Sequence, residues 1–194
     1  MEKTGFRGAR RVIVGAIGAV GFGALAVPAA SAQMFTQHTC SGLPATIVGT
    51  NGDDILAGTS GVDVVVGLAG NDIIRTAGGN DVICAGDGND TVYAGIGDDR
   101  VYGEAGLDWV YGDSGVDRIM GGTGNDVLFG DAGSDSMYGG ADIDRLYGGT
   151  ENDYLNNVDG VGGNDLADGG PHTVAPPGDD CDADPGDIKQ LCES

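Results

Sequence analysis

From Gly49 to Asn156 one aliphatic or methionine side chain recurs at every ninth residue: Leu56, Val65, Ile74, Ile83, Val92, Val101, Val110, Ile119, Leu128, Met137, Leu146 and Leu155. A period of nine is neither the 3.6 of an amphipathic helix nor the sustained alternation of a long strand. Polar and glycine positions share that period through twelve units without a slip, the first starting at Gly49 and the last at Gly148. The sixth place of every unit is an aspartate: Asp54, Asp63, Asp72, Asp81, Asp90, Asp99, Asp108, Asp117, Asp126, Asp135, Asp144 and Asp153. The fourth place is glycine from Gly52 to Gly133, and then Asp142 and Glu151 interrupt it.

This pattern predicts an all-β fold in which each unit is a six-residue turn followed by a three-residue strand. Glycine gives the turn its unusual backbone angles. An Asn or Asp at the fifth place, as at Asp53, Asn71, Asn89 and Asn125, tolerates them too. In the strand the eighth side chain points inward while the seventh and ninth point out. Two units then close one coil, giving a parallel β-roll, a two-stranded β-solenoid of about six coils of 18 residues. One apolar residue per unit is a thin core against the entropy of ordering nine.

Stacking coils about 4.8 Å apart places Asp54, Asp72, Asp90, Asp108, Asp126 and Asp144 in one column and the other six aspartates in a second. Like charges at that spacing repel by roughly 0.9 kcal/mol in bulk water and about 3.5 kcal/mol at an effective dielectric of 20. A hard dication between turns reverses the sign of that effect. Calcium takes six to eight oxygen ligands at flexible angles, whereas magnesium demands a tighter octahedron. The columns therefore predict binding of multiple calcium ions and folding coupled to it.

Charge narrows the partners. Acidic residues outnumber basic ones 30 to 9, for a net charge of −21, and four of the nine basic residues lie in the first eleven positions. Nucleic acid, whose affinity rests on Lys and Arg at phosphates, is excluded as a partner, and an anionic membrane surface repels the chain. The 39 glycines follow no collagen period.

Units such as Gly121-Gly122-Thr123-Gly124-Asn125-Asp126-Val127-Leu128-Phe129 resemble the repeat-in-toxin (RTX, haemolysin-type) calcium-binding nonapeptide. The resemblance covers Gly49 to Asn156, and a thirteenth unit, Gly160 to Asp168 with Asp165 at its sixth place, follows a three-residue insertion. It implies a parallel β-roll with calcium ions between turns and the twelve sixth-place aspartates as side-chain ligands. The chain departs from the family pattern where Thr76, Ala85 and Ala94 replace the first-place glycine, and where Asp142 and Glu151 replace the fourth.

The flanks divide into residues 1–32, 33–48 and 169–194, around an array of 49–168. Residues 1–32 have a basic start, an apolar run from Val12 to Val27 and the ending Ala30-Ser31-Ala32. This layout predicts a secretory signal peptide cleaved after Ala32, with an uncleaved anchor as the alternative. Arg10-Arg11 leaves general and twin-arginine export both open. Residues 33–48 are expected to cap one end of the array, since terminal units of a solenoid must be closed.

At the other end, 169–194 reads as a Pro-containing linker and an acidic cap. Asp182, Asp184 and Asp187 alternate like the start of an EF-hand loop, but Pro185 stands where that loop requires glycine. Four cysteines in an exported chain point to disulfides. Proximity favours Cys181 with Cys192, leaving Cys40 with Cys84.

Ninth-place Tyr93, Tyr111, Phe129 and Tyr147 fall on one sheet and predict an outward aromatic ladder, with Trp109 on the same side. It serves either as cross-coil stacking or as a docking strip for a sugar or protein. Arg75, Arg100, Arg118 and Arg145 sit at outward places, solvated or paired with acids. No catalytic motif is present, and His38 and His172 lie outside the array. The expectation is a secreted, extracellular calcium-binding repeat protein without enzymatic activity or membrane insertion. The alternative is a calcium-dependent adhesin or ligand-binding module, whose glycan or protein partner the residues do not identify.

Overall fold

The computed structural model describes residues 11–14, 38–160, 165–171 and 179–192. Two parallel sheets face each other. The nine-stranded sheet runs from Arg11–Val14 through Asp54–Ala57, Ile73–Arg75, Thr91–Ile96, Trp109–Ser114, Val127–Ala132, Arg145–Thr150 and Leu166–Asp168 to Ile188–Gln190. The eight-stranded sheet runs from Ile47–Val48 through Val64–Ala69, Val82–Asp87, Arg100–Ala105, Arg118–Thr123, Ser136–Ala141 and Tyr154–Asn157 to Asp180–Ala183. Successive units alternate between sheets, and partners such as Val110 and Leu128 lie 18 residues apart. The chain is thus a parallel β-solenoid of about seven turns, with no helix among the described residues.

The core is a single file. All twelve eighth-place residues, Leu56 to Leu155, are fully buried, and Ile47, Ala167 and Cys181 extend the file at both ends. The strands are longer than the nonapeptide alone indicates. Arg100–Ala105 spans six residues, from the seventh place of one unit to the third of the next, and pairs across that span with Arg118–Thr123. The tight turn shrinks to places four to six because pairing resumes immediately after the first-place residue. From Gly70 to Gly133 the fourth-place glycine takes a positive φ, 145° at Gly115 for example, whereas Gly52 and Gly61 do not. Asp142 and Glu151 adopt the same left-handed region, at 81° and 78°, so the turn persists where the glycine is lost.

Each end of the array is closed differently. The hairpin Thr39–Cys40 with Leu43–Pro44 packs on the outside of the eight-stranded sheet, where Cys40, Val64, Val66, Val82 and Cys84 form a second apolar cluster. The Cys40–Cys84 disulfide fastens it there. At the C-terminus, Asp180–Ala183 and Ile188–Gln190 continue both sheets as a degenerate final coil, closed by Cys181–Cys192. Both disulfides have the pairing that proximity favours. The expected leader, residues 1–32, lies outside the described residues except for Arg11–Val14, which pairs in parallel with Asp54–Ala57.

Candidate metal centre

The sixth-place aspartate ends the tight turn, and the geometry there turns its side chain into the coil. All twelve are between 0 and 5% exposed. They stack in the two expected columns, joined by a ladder that runs one way. The main-chain N–H of each aspartate donates to Oδ1 of the aspartate one coil later: Asp54 to Asp72 at 2.8 Å, Asp72 to Asp90 at 2.7 Å, Asp90 to Asp108 at 2.8 Å. The second column repeats this from Asp63 to Asp81 at 2.7 Å through Asp135 to Asp153 at 2.8 Å. Asp144 donates to Asp165 at 2.9 Å and Asp153 to Asp179 at 2.8 Å, so both ladders continue past the regular array.

Oδ2 is different. In Asp72, Asp81, Asp90, Asp99, Asp108, Asp117, Asp126, Asp135, Asp144 and Asp153 it is buried without a hydrogen-bond partner. What faces it explains the first-place glycine. A Cβ on Gly67, Gly103, Gly112, Gly121, Gly130 or Gly148 would collide both with Oδ2 of the same unit's aspartate and with a first-place carbonyl oxygen from the next coil. Two acceptors thus converge on one point with no donor between them. Native proteins rarely leave buried oxygens in that state, and the arrangement suits a hard cation.

Burial pushes these carboxyls upward, while the ladder hydrogen bond opposes the rise and neighbouring carboxylates add to it. Asp90, Asp99 and Asp135 reach about 6. Asp72, Asp108, Asp144 and Asp153 reach about 7. Asp117 and Asp126 reach about 8. Without a counter-ion at neutral pH, many of them would hold a proton. Among the described residues no three acidic, His or Cys side chains converge on one point. A cation in a turn would therefore complete its shell with main-chain oxygens, as calcium does.

The structure separates the twelve aspartates. Oδ2 of Asp54 accepts from the N–H and hydroxyl of Thr50 at 2.6 and 2.9 Å, and Oδ2 of Asp63 from those of Thr59 at 2.6 and 3.0 Å. These first two turns are satisfied from within. At Thr76 the hydroxyl donates to the Ala94 carbonyl at 2.6 Å. Burial pushes the neighbouring Asp81 carboxyl upward, and its Oδ2 stays without a hydrogen-bond partner.

Several features escape a reading of the repeat. The second place is also left-handed, at Leu68, Ala77, Glu104, Asp113 and Asp131, with φ between 69° and 84°. The fifth-place side chains form outer ladders of their own: Asn71 Oδ1 accepts from the Asn89 N–H, and Asn89 Oδ1 from the Leu107 N–H, both at 2.8 Å. Asp179 joins the second column although it follows its first-place glycine, Gly169, at ten residues where the regular unit has five. The legible signal there was the Asp-x-apolar triplet that puts Cys181 in the core.

Outside the turns, Tyr93, Tyr111, Phe129 and Tyr147 stack at 4.9 Å between successive ring centres with interplanar angles of 3–10°. Arg75 lies over Tyr93 at 4.7 Å and Arg118 over Tyr138 at 5.1 Å. These two arginines rest on aromatic faces.

A parallel solenoid whose turns gather buried carboxylates and carbonyls is a calcium-binding architecture. The family signature described as RTX calcium-binding nonapeptide repeat (4 copies) matches residues 48–83, 77–110, 85–119 and 111–146, about half of the chain, and the chain belongs to that family. No curated protein and no solved structure matches it.

Proposed function

We propose that this is a secreted calcium-binding repeat protein whose solenoid folds as ions are taken up between stacked turns. One observation carries the reading: the buried Oδ2 atoms of Asp72, Asp108, Asp117, Asp126, Asp135 and Asp153, each converging with a carbonyl oxygen on one point with no donor there. Bound calcium supplies the positive charge that lets such carboxylates stay ionised. Asp72, Asp108 and Asp126 would hold ions along one column, and Asp117, Asp135 and Asp153 along the other, whereas at Asp90 and Asp99 the side chains of Ala85 and Ala94 stand at the first place. Thr50 and Thr59 finish the N-terminal turns with protein donors instead.

The basic–apolar–small layout of residues 1–32 and the two disulfides support export to an oxidising, extracellular compartment. The reading is of a binding and structural module without catalysis. The test is a calcium titration of the mature chain followed by far-UV circular dichroism. A cooperative rise in β signal is expected, reversed by chelator and not reproduced by magnesium. Full β signal in chelator at neutral pH would remove the coupling of folding to the ion.

The aromatic ladder favours a second reading, a calcium-dependent adhesin. Four rings in register make a flat apolar strip next to half-exposed Trp109. Binding to a glycan array that disappears with Tyr111→Ala, while the calcium transition is unchanged, would select this reading.

A further inference from the structure

At Gly139 the otherwise regular pairing of oxygens changes. The point that a Cβ on this residue would fill is crowded by Oδ2 of Asp144, just as the same unit's aspartate crowds it at Gly121, Gly130 and Gly148. The second oxygen there is the side-chain Oδ1 of Asn157 and not a main-chain carbonyl. Asn157 is 1% exposed, and its Oδ1 is buried without a hydrogen-bond partner, as is Oδ2 of Asp144.

The amide is not free to turn over. Its Nδ2 donates to the Leu166 carbonyl at 2.9 Å, so reversing the group would set its oxygen against that carbonyl. The nitrogen, which could have satisfied Asp144, is thereby used elsewhere, and the oxygen is presented to a carboxylate. A buried pair of acceptors held face to face is costly unless something positive lies between them.

The sequence context accounts for the exchange. Asn157 occupies the place where a regular unit would begin, at the head of the three-residue insertion that widens the interval between column partners Asp144 and Asp165 to 21 residues. It also lies beyond the stretch matched by the family signature, which ends at residue 146.

We propose that Asp144 Oδ2 and Asn157 Oδ1 are side-chain ligands of one further calcium ion, in a site that closes the array where the regular repeat breaks down. This rests on the reading of the chain as a calcium-binding solenoid. Asn157 replaces a main-chain carbonyl with a neutral side-chain one, an oxygen type that calcium accepts readily. Of the two oxygens only that of Asp144 carries charge, so the site needs the amide oxygen to be held in place, and the bond to the Leu166 carbonyl does that.

Calcium ions per chain should be counted by native mass spectrometry on the disulfide-bonded chain and on Asn157→Ala, with circular dichroism to establish that the variant retains its β signal. Crystals of the unsubstituted chain grown in calcium provide the second measurement, through the anomalous signal of the ion. The expected result is one ion fewer in Asn157→Ala and an anomalous peak touching both Asp144 and Asn157. Equal counts in a folded variant overturn the proposal. So does a map without that peak, whether or not the variant folds. A chain that retains no calcium at all would instead sink the broader functional reading, so the two failures are distinct.

Discussion

The main-chain N–H of Asp108 donates to Oδ1 of Asp126 at 2.9 Å, while Oδ2 of Asp126 has no partner. The two oxygens of this carboxyl therefore have separate tasks, and substitutions can separate them. Asp126→Asn keeps an acceptor for the Asp108 amide but removes the charge. It should raise the calcium concentration at the folding midpoint and weaken repulsion in chelator. Asp126→Ala also strands the Asp108 amide and should cost about 1–3 kcal/mol more at saturating calcium. Calcium titrations and urea melts of the two variants check this, and indistinguishable melts would contradict the division of labour.

Acid should partly substitute for the ion. The folded carboxyls lie at about 6 to 8, from Asp90 at the low end to Asp117 and Asp126 at the top, above the ordinary 3.8 of the unfolded chain. Each raised group stabilises the folded state fully below pH 3.8, and that contribution disappears as pH rises through its folded value. In chelator, β signal should therefore be greater at pH 5 than at pH 8, with the loss falling between about 6 and 8. In calcium the dependence should reverse, because the ion competes with protons for the same oxygens. A chelator sample whose spectrum is flat across that window would contradict the burial-driven shifts.

Thr76 supplies a local donor where a neighbouring turn would use a cation. Its hydroxyl meets the Ala94 carbonyl at 2.6 Å, in a segment where Ala85 and Ala94 also replace first-place glycine. Thr76→Gly should empty that space and expose the carbonyl and Asp81 to an ion. Equilibrium dialysis should then find about one more calcium per chain than in the parent, and the chelator-treated variant should be less stable. An unchanged count would mean that this turn already holds an ion alongside the hydroxyl.

The Cys40–Cys84 bridge spans 44 residues and presses the N-terminal hairpin onto Val64, Val66 and Val82. Cys40→Ser with Cys84→Ser should lower stability in calcium by about 2–4 kcal/mol while leaving the calcium stoichiometry unchanged, since neither residue borders an aspartate column. Thermal melts paired with the dialysis count check both halves of that statement.

Much of this architecture can be read in the nonapeptide because two of its places do nearly all the organising. The eighth place lays down the core from Leu56 to Leu155, and the sixth lays down both carboxylate columns. The ninth-place ring ladder and both disulfides follow from the period and from proximity. The period does not reveal which oxygens still need a partner. Asp54 and Asp126 are the same residue at the same place, yet Thr50 satisfies one and nothing satisfies the other. Asn157 and Thr76 replace expected atoms with different chemistry at first places, and their effect depends on neighbours a full coil away. The left-handed second place was hidden because Leu68, Glu104 and Asp113 occupy it without the glycine that would have marked it. The last coil was hidden because a longer interval separates its first-place Gly169 from Asp179 and the core Cys181.

Tyr93, Tyr111, Phe129 and Tyr147 repeat at 4.9 Å, one ring per coil, and Trp109, the only tryptophan in the chain, leans on Phe129 with 6.4 Å between ring centres. The protein thereby carries its own optical gauge. Rings this close and this parallel couple electronically, so a small change in the pitch of the spiral alters near-ultraviolet ellipticity and indole emission before any strand is lost, and coil spacing can be followed in solution without an added label.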